Sequence, residues 1–147
     1  TVRQKGLASE EQLREIETLE GIMPSLLRHL FGYGFQDGPG GICKAFGLLR
    51  RTVLNAEMPW WSLPETMRAA LYCWNVADTA EKPACLDVLR ACHNAFIRHY
   101  VRPELHLMAV QTRNAKGEVV DSIPATSDAD PGYHTGLCLL DCLDLVL

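Results

Sequence analysis

Trp60-Trp61-Ser62-Leu63-Pro64-Glu65-Thr66-Met67-Arg68-Ala69-Ala70-Leu71-Tyr72-Cys73-Trp74 is the stretch whose reading decides the fold. Leu63, Met67, Ala70, Leu71 and Trp74 fall at i, i+4, i+7, i+8 and i+11, one stripe of an amphipathic helix. Pro64 sits in the first turn, where the N–H that proline lacks has no intrahelical partner. Glu65, in the same turn, is an acidic group at the helix end that favours one. Arg68 follows it by three residues, a spacing that pairs carboxylate and guanidinium on one helix face.

Downstream, Asp78 and Thr79 make a polar break, and Pro83 opens a second helix in which Leu86, Leu89, Cys92, Phe96 and Tyr100 repeat every three or four residues. Pro103 closes it. Leu105 to Val110 then reads as an extended run, Asn114-Ala115-Lys116-Gly117 as a turn, and Glu118 to Ile123 as the returning strand of a hairpin. After a loop over Asp128 to Gly132, the last fifteen residues are again helical, with Leu139, Leu140, Leu143 and Leu147 on one face.

Upstream, Ser9 is an N-cap with Gln12 as its capping-box partner, and Leu13, Ile16 and Leu19 follow at helical spacing. Pro24 is expected to break this helix and start a separate stretch through Leu26, Leu27 and Leu30. Gly32, Gly34, Gly38, Gly40 and Gly41 mark the loop that ends it. Ile42 to Leu54 reads as a small hairpin stopped by Pro59. The resulting order is helix, hairpin, helix, helix, hairpin, helix, a weak internal repeat. It predicts a mostly α fold of stacked helical hairpins whose long loops gather at one end, where a site would lie.

The 147 residues are expected to form a single domain over 1–147. With 48% hydrophobic and 22% charged residues the chain has matter for a core, which excludes disorder. The net charge is −4 and the densest basic run is Arg50-Arg51, so a nucleic-acid partner is set aside. No apolar run reaches the length of a membrane span, and no signal peptide is visible, so no membrane partner is expected. The six cysteines lie among Leu, Ala and Val at helical spacing, Cys138 four before Cys142 and Cys85 seven before Cys92. They read as free buried thiols of a cytoplasmic protein. No C-x-x-C occurs, and no metal site is expected. A chain that begins at Thr1 is expected to be processed or cut from a longer one.

Three motifs occur in a defined order: Phe35-Gln36-Asp37-Gly38-Pro39-Gly40-Gly41 before the first hairpin, Trp60-Trp61-Ser62-Leu63-Pro64-Glu65 opening a helix, and Pro131-Gly132-Tyr133-His134 opening the last one. With the turn at Asn114 to Gly117, they make the chain resemble the C-terminal part of the N-acylglucosamine 2-epimerase and cellobiose 2-epimerase superfamily. The resemblance implies part of an (α/α)6 toroid holding a sugar at one mouth. It implies an isomerase, without cofactor or metal, that moves a proton next to the carbonyl of a free hexose, an N-acylhexose or an oligosaccharide reducing end. His134 maps to an acid/base on the last helix, a task that suits imidazole, and Glu65 would support it. Trp60, Trp61, Glu57 and Tyr133 would bind substrate; one Trp should stack on the sugar and the other pack, Trp61 being the choice for the site. A second histidine and an arginine of the family lie upstream of this chain. Part of a toroid cannot close its own ring, so the chain would need the remainder of a longer polypeptide or a second copy, and would be inactive alone. Two positions depart from the family: Leu137 stands where many members have Arg, and Leu63 where His or Gln is common.

Two other readings are open. A glycoside hydrolase or lyase on the same scaffold needs two carboxylates roughly 5–10 Å apart, and Glu65 with Asp128 or Asp130 is the pair available. A non-catalytic carbohydrate-binding or interaction module needs neither. The plain alternatives are a helix-start His134 bonded to backbone, tryptophans that anchor the core, a solvated Glu57, His106 on a surface strand, and His29, His93 and His99 in structural or exposed places.

Overall fold

The structure, a computed structural model, describes residues 8–106, 112–122 and 133–147. It is mostly helical, with small antiparallel sheets. Helix α1 (Glu10–Gly34) begins at the predicted capping box: the Ser9 hydroxyl accepts the Gln12 N–H at 3.3 Å, and the Gln12 side chain accepts the Ser9 N–H at 2.9 Å. Pro24 does not break it. The proline lies buried inside one continuous helix, because Met23 and Leu27 on either side pack on the Cys73, Ala77 and Cys85 cluster. Burial there outweighs the hydrogen bond that proline forfeits.

The glycine-rich loop folds between two short strands, β1 (Phe35–Gln36) and β2 (Gly41–Ile42), and the expected hairpin follows as β3 (Ala45–Gly47) and β4 (Thr52–Asn55). Pro59 does not end the strands. It lies within β5 (Met58–Pro59), fully buried and paired with Thr112.

Helix α2 (Ser62–Val76) buries Leu63, Pro64, Met67, Ala70, Leu71 and Cys73, so the predicted stripe faces the core. The Asp78 carboxylate accepts the N–H groups of Ala80 and Glu81, turning the chain into α3 (Lys82–His99). That helix buries Cys85, Val88, Cys92, Ala95 and Phe96, whereas Leu86 is exposed. The rest of the expected stripe faces the core, with Cys92, Phe96 and Tyr100 buried in it and Leu89 packed against it; at the first turns Cys85 and Val88 take the inward places in the stead of Leu86. Past α3, Pro103–Leu105 form a 3-10 turn and His106 takes the left-handed conformation with φ 54°, so the expected extended run does not begin at Leu105. Its remainder, residues 107–110, lies outside the described residues.

The second hairpin is β6 (Thr112–Arg113) and β7 (Val119–Val120), turning where the Asn114 side chain accepts from Lys116 and Glu118 N–H. Strand β6 also pairs with β5, so the two hairpin-bearing connections meet in one three-stranded sheet. Arg113 pins the glycine loop to it by donating to the carbonyls of Pro39 and Gly117, and the buried Tyr100 hydroxyl donates to the Met58 carbonyl at 2.9 Å. Gly40 is left-handed at φ 70° and lies against the His99 ring, and a Cβ on Gly41 would meet the Tyr100 hydroxyl at 2.6 Å.

The chain ends in one π-helical turn, Tyr133–Leu137, continued by α4 (Cys138–Val146). The principal core joins Trp60, Leu63, Met67 and Ala70 to Val88, Cys92, Ala95, Phe96 and Tyr100. On α4, Leu139 packs against it while Leu140, Leu143 and Leu147 are exposed. Among the described residues no helix is long and apolar enough to cross a membrane.

Candidate active site

Two residues, Trp60 and Trp61, separate the end of β5 from the start of α2, and α4 packs against α2. This brings the first turn of α2 to the π turn that leads into α4. His134 Nδ1 lies 2.8 Å from Glu65 Oε1, between residues 69 positions apart in sequence. The other carboxylate oxygen, Oε2, accepts from Arg68 Nη2 at 2.5 Å, and Arg68 Nη1 donates to Asp141 Oδ2 at 3.0 Å. Four side chains from two helices thus form one chain of polar contacts: His134, Glu65, Arg68, Asp141.

The electrostatics of Glu65 set the chemistry of its partner. Burial alone would push its carboxyl up, but the hydrogen bond from His134, the Cys138 thiol and the Arg68 guanidinium together hold it below the usual carboxylate range. At neutral pH it is therefore ionised and can only accept. It follows that His134 Nδ1 carries the hydrogen and donates, and that in the neutral ring Nε2 carries the lone pair. The arrangement is the one in which a carboxylate fixes the tautomer and orientation of an imidazole base. His134 is partly exposed, 36% at its side chain, so the ring is not in a dry core.

Aromatic rings flank it. The Trp61 ring centroid lies 5.8 Å from that of His134, and Tyr133, half exposed, stands edge-on to the imidazole at 5.2 Å. Trp60 does not share this position. It is 3% exposed, set in the principal core and edge-on to Trp61 at 4.6 Å, so of the two tryptophans Trp61 is at the site and Trp60 is packing. Glu57 is half-buried in the connection from β4 to β5, where its N–H donates to Asn55. Among the described residues no hydrogen bond or ion pair joins it to Glu65 or His134. Leu63 is fully buried in the core, and Leu137 is largely exposed. Asp128 and Asp130 lie outside the described residues. His106 is exposed, and the His29 Nδ1–H donates to the Ser25 carbonyl at 2.7 Å within α1, away from these contacts.

Sequence reading missed Asp141 and Cys138. The signal for both was present: Cys138 and Asp141 follow His134 by four and seven residues, so all three fall on one helix face. Burial pushes the Cys138 thiol up to about 12, and the charge and hydrogen bond of Glu65 add to it. It is thus a neutral thiol, not a nucleophile. The wide π turn under His134 was likewise not foreseen; such turns are rare and frequently lie at functional sites. All six cysteines are free, as their spacing suggested. No group of three or more His, Cys, Asp or Glu side chains among the described residues is placed to hold a metal ion.

No family model, no curated protein and no solved structure matches the chain.

Proposed function

We propose that the chain carries the acid/base half-site of a sugar epimerase or aldose–ketose isomerase, with His134 as the base and Glu65 as the group that orients it. The observation that carries this reading is the 2.8 Å contact between His134 Nδ1 and an ionised Glu65, with Trp61 alongside. In the ring-opened sugar, Nε2 takes the proton from the carbon next to the carbonyl. The electron pair of that C–H bond moves into a C=C bond and the carbonyl electrons pass to oxygen, giving an enediolate. Delivery of a proton from solvent water to the other face, with the imidazolium giving its proton up to solvent, gives the epimer; return of the imidazolium proton to the neighbouring carbon, with the hydroxyl proton passing from one oxygen to the other, gives the ketose. The Trp61 face and Tyr133 bind the sugar by stacking and hydrogen bonding. Positioned proton transfer of this kind contributes about 10²–10⁴-fold in rate.

The toroid belongs to the same proposal. Leu19, Ile22, Leu26 and Leu30 form a half-exposed stripe on α1, and Leu140, Leu143 and Val146 another on α4. These faces suit helices beyond the ones described, as in a ring of helical hairpins completed by further chain or by a second copy. In the hydrolase reading Glu65, held low, can serve only as the ionised carboxylate, and the general acid would have to be Asp128 or Asp130, which lie outside the described residues.

The experiment is incubation of the full-length protein with free hexoses and N-acetylhexosamines in heavy water. Deuterium entering the sugar at the carbon beside the carbonyl is the expected result. Cleavage of oligosaccharides without exchange would instead support a hydrolase, and binding without either a non-catalytic module.

A further inference from the structure

We propose that Asp141 and Arg68 are positioning residues for the His134–Glu65 pair: Asp141 holds one arm of the Arg68 guanidinium, so that Arg68 meets Oε2 of Glu65 and leaves Oε1 to His134. As regards catalysis, this rests on the reading of His134 as a base; as regards geometry, it does not.

A guanidinium presents a planar fork that matches both oxygens of one carboxylate. Arg68 lies three residues from Glu65 on the same helix and would meet it in that bidentate way if nothing else drew on the fork. Bidentate pairing would engage the oxygen that His134 uses. Instead the fork is divided. Nη2 goes to Glu65 Oε2 at 2.5 Å and Nη1 to Asp141 Oδ2 at 3.0 Å. Both ion pairs are shielded, with Arg68 21% exposed and Asp141 34%, so they are better held than a solvated surface pair.

The link also has a direction in the fold. Glu65 and Arg68 belong to α2, whereas Asp141 lies on α4, which continues the π turn that carries His134. Arg68 therefore ties the docking of α4 to the seat of the imidazole. Among the described residues, Glu65 and Arg68 from α2 and Asp141, Cys138 and Cys142 from α4 bear on the pair, and the thiols are neutral. Among them Asp141 is the one that can divide the guanidinium.

The test uses Asp141→Asn in the full-length protein, with Asp141→Glu as the conservative rescue. Asp87→Asn is the control, since Asp87 makes the same kind of pair with Arg90 on α3 at an exposed place. Nitrogen–proton correlation NMR of the imidazoles reads the tautomer of His134. In the parent protein the Nδ1–H form is the majority. In Asp141→Asn it loses that majority to the Nε2–H form; Asp141→Glu restores it and Asp87→Asn leaves it unchanged. With a sugar that exchanges, kcat of Asp141→Asn falls by about 10–100-fold while KM changes little. Should Asp141→Asn fail to fold by circular dichroism, Arg68→Lys replaces it, because an ammonium lacks the planar fork that holds two carboxylates at fixed places, and the same loss of tautomer is expected. An unaltered His134 tautomer in a folded variant overturns the proposal even where sugar exchange is robust. A shifted tautomer in a protein that exchanges no sugar leaves the positioning role standing and removes the isomerase reading.

Discussion

His134 and His99 are the same side chain in opposite surroundings. His134 stands at a π turn, with an ionised carboxylate on Nδ1 and two aromatic rings beside it. His99 ends α3 against Gly40, where burial, and then the charges of Arg113, Arg98 and Arg102, hold its imidazole below the usual histidine range. One ring is held by an anion, which fixes its tautomer. The other is partly buried among cations, and both oppose its protonation. A sequence contains five histidines of equal chemical promise; the fold makes one of them suited to proton transfer and another suited to packing under a loop.

The contrast is sharpest in activity. His134→Gln and Glu65→Gln are each expected to lower deuterium exchange into a sugar by about 10²–10⁴-fold, whereas His99→Gln leaves it within a small factor of the parent. Exchange rates of the three variants under one condition check this. Stability should divide the other way. Gly40→Ala forces a Cβ at φ 70° into the His99 ring, and should cost about 1–3 kcal/mol in the midpoint of urea unfolding.

Acid should separate the two regions by pH. The folded value of His99 lies below its unfolded one, so the unfolded chain takes up the proton first. Its contribution is complete above the ordinary histidine range and is lost as pH falls through that range. Glu65 also has a depressed folded value, so its contribution is present above the unfolded carboxylate range and lost as pH falls through the folded value. Both losses run toward acid, the histidine's at the higher pH. Stability against pH should accordingly lose its upper step in His99→Gln and its lower step in Glu65→Gln. The smallest effect is expected from Arg90→Ala, which breaks an i,i+3 pair of the same spacing as Glu65–Arg68 but with side chains 67% and 71% exposed. Thermal unfolding should register about 0–1 kcal/mol.

What the sequence made legible was local. The Ser9–Gln12 capping box, Pro64 in the first turn of α2 and the turn at Asn114 are each decided within a few residues, and each formed as read. Pro24 was misread because its cost is local but its compensation is not: Met23 and Leu27 meet Cys73, Ala77 and Cys85 from two other helices. The stripe of α3 was read rightly from Leu89 to Tyr100 and missed at Leu86, because Leu86 and Val88 are equally apolar and which faces inward depends on what stands opposite. Glu65 and His134 were singled out by the motifs around them and the Arg68–Glu65 pair by its spacing, and the fold brings all three into contact. Asp141 was not, because a contact between residues 73 positions apart leaves no trace in local pattern.

In the proposed reaction the imidazole of His134 moves a proton under the direction of Glu65. The most direct test follows solvent deuterium into the carbon beside a sugar carbonyl, with the parent protein and His134→Gln side by side. Deuterium appearing with the parent and not with the variant is the predicted result; equal incorporation by both would contradict it.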